Sequence, residues 1–230
     1  MESRRGQDQS RAGRPEASGV VGPGRSETDQ PDRAVVAVLA GGSATRLDGA
    51  KAAAVLAGRP LIEYPLQAAR EAGLTAVVVA KAGSVLPPVE VETVIEPDRP
   101  SHPLAGIVTA LGRAGGRPIL ALACDLPLVV PGLLRWLADR PERLVVPSVG
   151  GRLQPLAARY GPDLLADLER ILDGPGIDST SMQDLVESLG PRVATENELS
   201  RFGYPRRIFT NVNDAEDLER AAAVLADRPT

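Results

Sequence analysis

Apolar and polar positions along this chain alternate between two periods. Nearly all-apolar runs at 34–38 (AVVAV), 75–80 (TAVVVA), 91–95 (VETVI) and 118–125 (PILALACD) are too short for helices and rich in β-branched and small residues, so they predict buried strands. Helical spacing falls between them. Residues 60–73 (PLIEYPLQAAREAG) put Ile62, Pro65, Leu66 and Ala69 on one face, with Pro60 suited to the first turn and Gly73 to the C-cap, while Pro65 kinks the helix or delays its start. Residues 103–114 set Leu104, Ile107, Val108 and Leu111 in a second apolar stripe. The remainder is less regular. It predicts a short helix at 131–140, a strand at 143–149 and a Gly150-Gly151 turn into a strand at 152–160. Helices follow at 162–172 and 181–189, then a strand over 209–214 and a closing helix at 215–226 capped by Asp214. Strands that alternate with helices and are apolar on both faces predict a parallel sheet covered on both sides, made mixed by the Gly-Gly hairpin.

Residues 1–33 are rich in Arg, Gly, Ser, Pro and acidic residues, with Val20 and Val21 their only aliphatic neighbours. Such a segment buries too little surface to offset its ordering entropy, so it is expected to be a disordered tail before a globular domain at 34–230. A 230-residue chain with 43% hydrophobic and 24% charged residues can bury a substantial core. With 3% aromatic residues and a net charge of −4, it lacks the stacking platforms and basic surface of a nucleic-acid binder. One Cys excludes an internal disulfide or a Cys-based metal cluster, and no apolar run reaches the length of a membrane span. The expectation is a soluble, cytoplasmic protein.

The candidate chemistry gathers at strand ends, where ligands bind to open α/β sheets. The first strand opens into LAGGSATRLDGAK at 39–51. Gly41 and Gly42 carry no Cβ, so their backbone amides can approach phosphate oxygens, and Arg46 and Lys51 add two cations that suit a triphosphate. The alternative is a plain surface turn with both cations solvated. Asp125 follows a run of apolar residues, where an unpaired carboxylate would be costly, so it is expected to bind Mg²⁺ or, failing that, to cap a helix. Asn211 and Asn213 share a face of the expected last strand and suit either a metal and phosphate site or ordinary capping. Arg152 and Gln154 form a second same-face pair suited to a substrate phosphate or base edge, or simply to a solvated edge strand. His102 reads as a solvated loop residue and Cys124 as core.

Together these stretches resemble the molybdenum cofactor guanylyltransferases, a MobA-like branch of the NTP transferases. LAGG with Arg46 and Lys51 is similar to the family signature L-x-G-G-x-x-x-R-[ML]-G-x-x-K, with Asp48 in place of the Gly after R-[ML] and Ala50 in place of the usual Asp before the Lys. Pro103-Leu-Ala-Gly-Ile107, Cys124-Asp-Leu-Pro127, Arg152-Leu-Gln-Pro-Leu156 and Asn211-Val-Asn-Asp214 follow in the family's order, so the similarity spans 34–226. The resemblance implies a Rossmann-like three-layer α/β sandwich with a mostly parallel mixed sheet, of the nucleotide-diphospho-sugar transferase type. It implies transfer of GMP from GTP to the phosphate of a molybdopterin, with release of pyrophosphate and dependence on Mg²⁺.

On this reading Leu39, Ala40 and Gly41 line the guanine and sugar side. Gly42, Arg46 and Lys51 hold the triphosphate, Asp98 contacts the nucleotide, and Asp125 ligates Mg²⁺. Arg46, Lys51 and Asp125 are the catalytic set, and Arg152, Gln154, Asn211 and Asn213 serve the acceptor. The expected partners are GTP and the molybdopterin, with at most transient contact with other cofactor-maturation proteins, and neither nucleic acid nor membrane. The rival readings are a cytidylyl- or other nucleotidyltransferase with a different acceptor, and a catalytically silent NTP-binding regulatory module.

Overall fold

A computed structural model describes residues 33–41 and 51–227. Of the expected tail only Arg33 falls among them, and its guanidinium donates to the Gly73 carbonyl. The sheet is built on β1 (Val35–Leu39), which pairs in parallel with β4 (Ala76–Ala80) on one side and β6 (Ile119–Ala123) on the other. Beyond β4 lies β5 (Thr93–Ile95), also parallel. Beyond β6 the antiparallel β9 (Ala157–Tyr160) joins it to β7 (Leu144–Val149), and β10 (Arg192–Ala194) runs parallel to β7 at the far edge. The order is therefore β10-β7-β9-β6-β1-β4-β5, with β8 (Arg152–Leu153) paired only to β7. The sheet is mixed and mostly parallel, as the sequence pattern predicts.

The two-residue period of β1 assigns its side chains to two cores. Val36 and Val38 face one side, where α1 (Glu63–Glu71) and α3 (Pro131–Ala138) bring Leu66, Ala69, Leu133, Leu134 and Leu137 against Val78, Leu120 and Leu122. Val35 and Ala37 face the other. There α2 (Pro103–Arg113), α4 (Leu165–Leu172) and α5 (Met182–Ser188) cover Val77, Val79, Ile119 and Ala121 with Leu104, Ile107, Leu111, Leu168 and Leu185. This is a three-layer sandwich. The chain runs out from β1 through β4 to β5, then crosses back through α2 to β6, so the strand order reverses at β1. Beyond the carboxyl ends of β1 and β6 lies the crevice where such sheets bind ligands.

Several elements differ from the expectation for physical reasons. Helix α1 begins at Glu63 rather than Pro60, and Pro65 sits in its first turn, where a missing N–H leaves no helical bond unmade. Pro60 belongs instead to a small antiparallel hairpin of β2 (Val55–Leu56) and β3 (Arg59–Pro60). The expected single strand 152–160 breaks at Pro155 into β8 and β9. Both Gly150 (φ +60°) and Gly151 (φ +73°) occupy the left-handed region, as the tight turn between β7 and β8 requires. The expected strand over 209–214 is not formed. Phe209 ends the short helix α7 (Pro205–Ile208), and an extended segment then leads into α8 (Ala215–Ala226). Its Val212 is buried with Leu56 of the hairpin and the adjoining Leu61, while its N–H donates to the Asp125 carbonyl. Strand β10, α7 and α6 (Glu196–Leu199) have three or four residues each, too few for periodicity to register.

The Asp214 carboxylate accepts from the Asp217 N–H and caps α8, as expected. Replacing it by Ala should lower stability by about 1 kcal/mol. The check is a lower urea midpoint with an unchanged m-value.

Candidate active site

At the carboxyl ends of β1, β4, β5 and β6 lies a cleft of about 290 Å³, lined by Leu39, Gly41, Lys51, Lys81, Glu96, Ser101, His102, Pro103, Ala123, Cys124, Asp125 and Leu156. Strand β6 carries Asp125 to its rim, and a 3₁₀ turn beginning at Lys51 brings the ammonium opposite. Lys51 Nζ lies 2.5 Å from Asp125 Oδ2 and 2.8 Å from Asn213 Oδ1, so one cation joins residues that are distant in sequence. The pair is only 19% and 14% exposed, which makes the charges strong for one another and costly to separate. Two backbone bonds hold the third member. The Val212 N–H donates to the Asp125 carbonyl, and the Asn213 N–H donates to the Asp217 carboxylate of α8.

Asp125 has a second oxygen to spare. Oδ1 is buried and has no hydrogen-bond partner among the described residues. A buried anionic oxygen left unpaired is costly, and such an oxygen is what a cation would take up. No group of three or more His, Cys, Asp or Glu gathers among the described residues, but Mg²⁺ commonly uses one or two carboxylates and completes its shell with substrate phosphates and water. The donor set fits such an ion.

A second carboxylate lines the same cleft. Glu96 follows β5 as Asp125 follows β6, and its N–H extends the ladder to the Ala80 carbonyl. Its side chain lodges between two glycines. A Cβ on Gly41 would stand 2.9 Å from the Glu96 carboxyl carbon, and one on Gly106 would stand 2.6 Å from Oε2. Burial pushes the Glu96 carboxyl above the usual range, and Lys81 pulls it partly back. Lys81 itself donates to the Asp98 carbonyl at 3.0 Å. Cys124 is buried beside Asp125, and its thiol is pushed up to about 12 by burial first and by the Asp125 charge second, so it is inert core as expected.

The structure brings together only part of the expected site. Leu39, Gly41, Lys51 and Asp125 line the cleft, and Asn213 reaches it through Lys51. Ala40 is buried in the core beside it. Gly42 and Arg46, with Asp48 and Ala50, lie outside the described residues. Asp98, Arg152 and Asn211 are exposed and outside the cleft lining, as is the partly exposed Gln154, which donates to the Arg152 carbonyl. From this stretch of chain it is Leu156, in the link between β8 and β9, that lines the cleft.

His102 is not solvated. It is 8% exposed and caps α2, with Nδ1 accepting from the Leu104 N–H and Nε2 3.0 Å from the Thr180 carbonyl, so Nε2 carries the proton. Sequence pattern alone does not mark Glu96 or Lys81: the run before Glu96 contains Glu92 and Thr93 and β5 is exposed at Thr93 and Ile95, so only the fold shows that Glu96 is buried.

Comparison with known proteins gives a consistent result. A family model described as the MobA-like NTP transferase domain matches residues 36–194. A molybdenum cofactor guanylyltransferase of Acidiphilium cryptum is 32% identical over 194 residues, 81% of this chain and 92% of that one. The crystal structure of molybdopterin-guanine dinucleotide biosynthesis protein A from Archaeoglobus fulgidus aligns with a TM-score of 0.68 at 23% identity, over 84% of this chain and 100% of that one. That of 2-C-methyl-D-erythritol 4-phosphate cytidylyltransferase from Thermus thermophilus aligns at 0.59 and 20% identity, over 85% and 99%. At these identities the two structures establish the fold.

The Glu96 environment generates a prediction. A carboxyl whose folded-state pKa is raised favours folding while it is protonated, and that contribution is lost as pH rises through the folded value. Glu96→Gln should therefore raise the thermal midpoint at neutral pH, and the gain should shrink as pH falls below the ordinary carboxylate range. Midpoints of both proteins across that range provide the check.

Proposed function

The chain belongs to the MobA-like NTP transferase family and is a nucleotidyltransferase, and from that premise we propose that it transfers GMP from GTP to the terminal phosphate of a molybdopterin. The observation that carries this reading is the Lys51–Asp125–Asn213 cluster at the crevice, with Asp125 Oδ1 left unpartnered. The name of the Acidiphilium relative, a molybdenum cofactor guanylyltransferase, supports the choice of guanine and of a molybdenum cofactor acceptor.

In the proposed reaction an oxygen of the pterin phosphate forms a bond to the α-phosphorus of GTP. The bond from that phosphorus to the bridging oxygen breaks, and the electron pair leaves with pyrophosphate. Reactions of this kind need positioning and charge stabilisation more than a proton-abstracting base, so His102, whose Nδ1 and Nε2 are both occupied, has no part in it. Lys51 is placed to neutralise charge that builds on the departing pyrophosphate, and Asn213 holds that ammonium in position. Arg46 and the Gly42 amide are assigned to the same phosphates from their place in the signature. Asp125 would hold Mg²⁺, which when bound neutralises phosphate oxygens and sharpens their geometry. Leu39, Ala40 and Gly41 are assigned to the nucleoside side, and Asp98 to a nucleotide contact. Arg152, Gln154 and Asn211 are assigned to the acceptor.

Pyrophosphate release from GTP plus molybdopterin tests the proposal. Lys51→Met should reduce turnover by about 10²–10³-fold, the range seen when one stabiliser of transition-state charge is removed. Asp125→Asn should abolish the response to Mg²⁺, and unchanged turnover in that variant would remove the metal role. Thermal shifts with each of the four NTPs and Mg²⁺ should show a specific rise with GTP, about 2.7 kcal/mol at a hundredfold excess over Kd. A rise with CTP alone would instead favour a cytidylyltransferase.

A further inference from the structure

The fold leaves the choice of base open, since the same sheet supports a cytidylyltransferase. The cleft nevertheless contains a group suited to make that choice. We propose that Glu96, seated between Gly41 and Gly106 with Lys81 beside it, is the specificity-determining residue that reads the guanine edge. The proposal rests on the nucleotidyl-transfer reading above and deepens it.

The argument is one of matching donors to acceptors. An ionised carboxylate only accepts hydrogen bonds, through two oxygens side by side. Among the four bases, guanine alone presents two adjacent donors, N1–H and the exocyclic N2 amine, next to an O6 acceptor. Adenine and cytosine each place an acceptor next to their amine, and uracil has one N–H between two carbonyls. Glu96 thus fits guanine with both oxygens and meets a repulsive lone pair on the others. The Lys81 ammonium supplies a donor for O6. It already reaches the Asp98 carbonyl and has two further N–H bonds to give.

The glycines give this seat its shape. Gly41 lies two residues past the end of β1, and its missing Cβ is what lets the Glu96 carboxyl lie against the backbone there. Gly106, on the first turns of α2, opens the opposite wall, where a Cβ would stand 2.6 Å from Oε2 and 3.2 Å from a Leu39 methyl. Two independent elements have therefore given up their side chains around one carboxylate. No salt bridge to Glu96 occurs among the described residues, and the group is 8% exposed and lines the cleft. A carboxylate so held, and raised by burial, gains from a ligand that brings it two N–H donors.

The test compares GTP with inosine triphosphate, which lacks only the N2 amine. Calorimetric titration of the full chain with Mg²⁺ should give GTP an affinity advantage of about tenfold or more, as a hydrogen bond to a charged group provides. In Glu96→Ala that advantage should collapse towards unity, while inorganic pyrophosphate binds as in the wild type. Gly106→Ala, which displaces the carboxylate without removing it, should produce the same collapse. This second variant guards against a folding defect in the first.

Equal binding of the two nucleotides by the unaltered protein would overturn the proposal without any variant. So would an undiminished GTP preference in Glu96→Ala, and either result would leave the nucleotidyl-transfer reading intact. A wild type that binds pyrophosphate but no nucleoside triphosphate would remove both.

Discussion

A carboxylate delivered by an apolar strand to the edge of the core has to be compensated, and the design of this protein follows from how that is done at Asp125. One oxygen is satisfied by Lys51, the other is left open. Because the ammonium comes from the 3₁₀ turn that begins at Lys51, the pair fixes that turn against the end of β6. Because Asn213 shares the same ammonium, it also fixes the approach to the last helix. A partly buried ion pair adds little net stability once its desolvation is counted. Its contribution here is positional: three segments separated by up to 162 positions in sequence converge on one cationic atom.

The sheet makes this convergence possible. Strand β1 has parallel neighbours on both sides, so three strand ends open onto one rim, and the reversal of strand order leaves a gap between the following connections. Asp125 stands at one flank of that gap and Glu96 at the other, each one residue or two past its strand. The two differ in their surroundings. Asp125 meets a cation directly, whereas Glu96 sits between glycines, where burial raises its carboxyl above the usual range and Lys81 pulls it partly back. Two acidic groups in one crevice thus have distinct electrostatic characters.

Much of this was legible in the chain. The runs at 34–38, 75–80 and 118–125 carry only apolar and small residues before the last position, and such runs in alternation with amphipathic stretches leave few architectures open. Asp125 stood out because it interrupts one of them. The illegible parts share a cause, which is that tertiary contacts rather than local pattern decide them. Phe209 and Val212 are apolar at a spacing of three and look like strand residues, yet each is claimed by a different core, Phe209 by the layer with α1 and α3 and Val212 by the small hairpin. His102 looked solvated because loops with proline usually are. Only the fold brings the Thr180 carbonyl to its far nitrogen. Glu96 was masked by Asp98 two places on, whose side chain the fold turns to solvent.

The antiparallel strand β9, wedged between β6 and β7, has one more effect. It makes the chain double back, so that the segment from Gly150 to Leu156 lies outside the registers that join β1 to β4 and β6 and reaches the cleft only at Leu156. Among its own ties are the β7–β8 pairing and one bond from the Ala123 N–H to the Leu156 carbonyl at 2.8 Å. In such an arrangement the rim of the cleft changes one turn at a time while the strands that carry Asp125 and Glu96 stay in place.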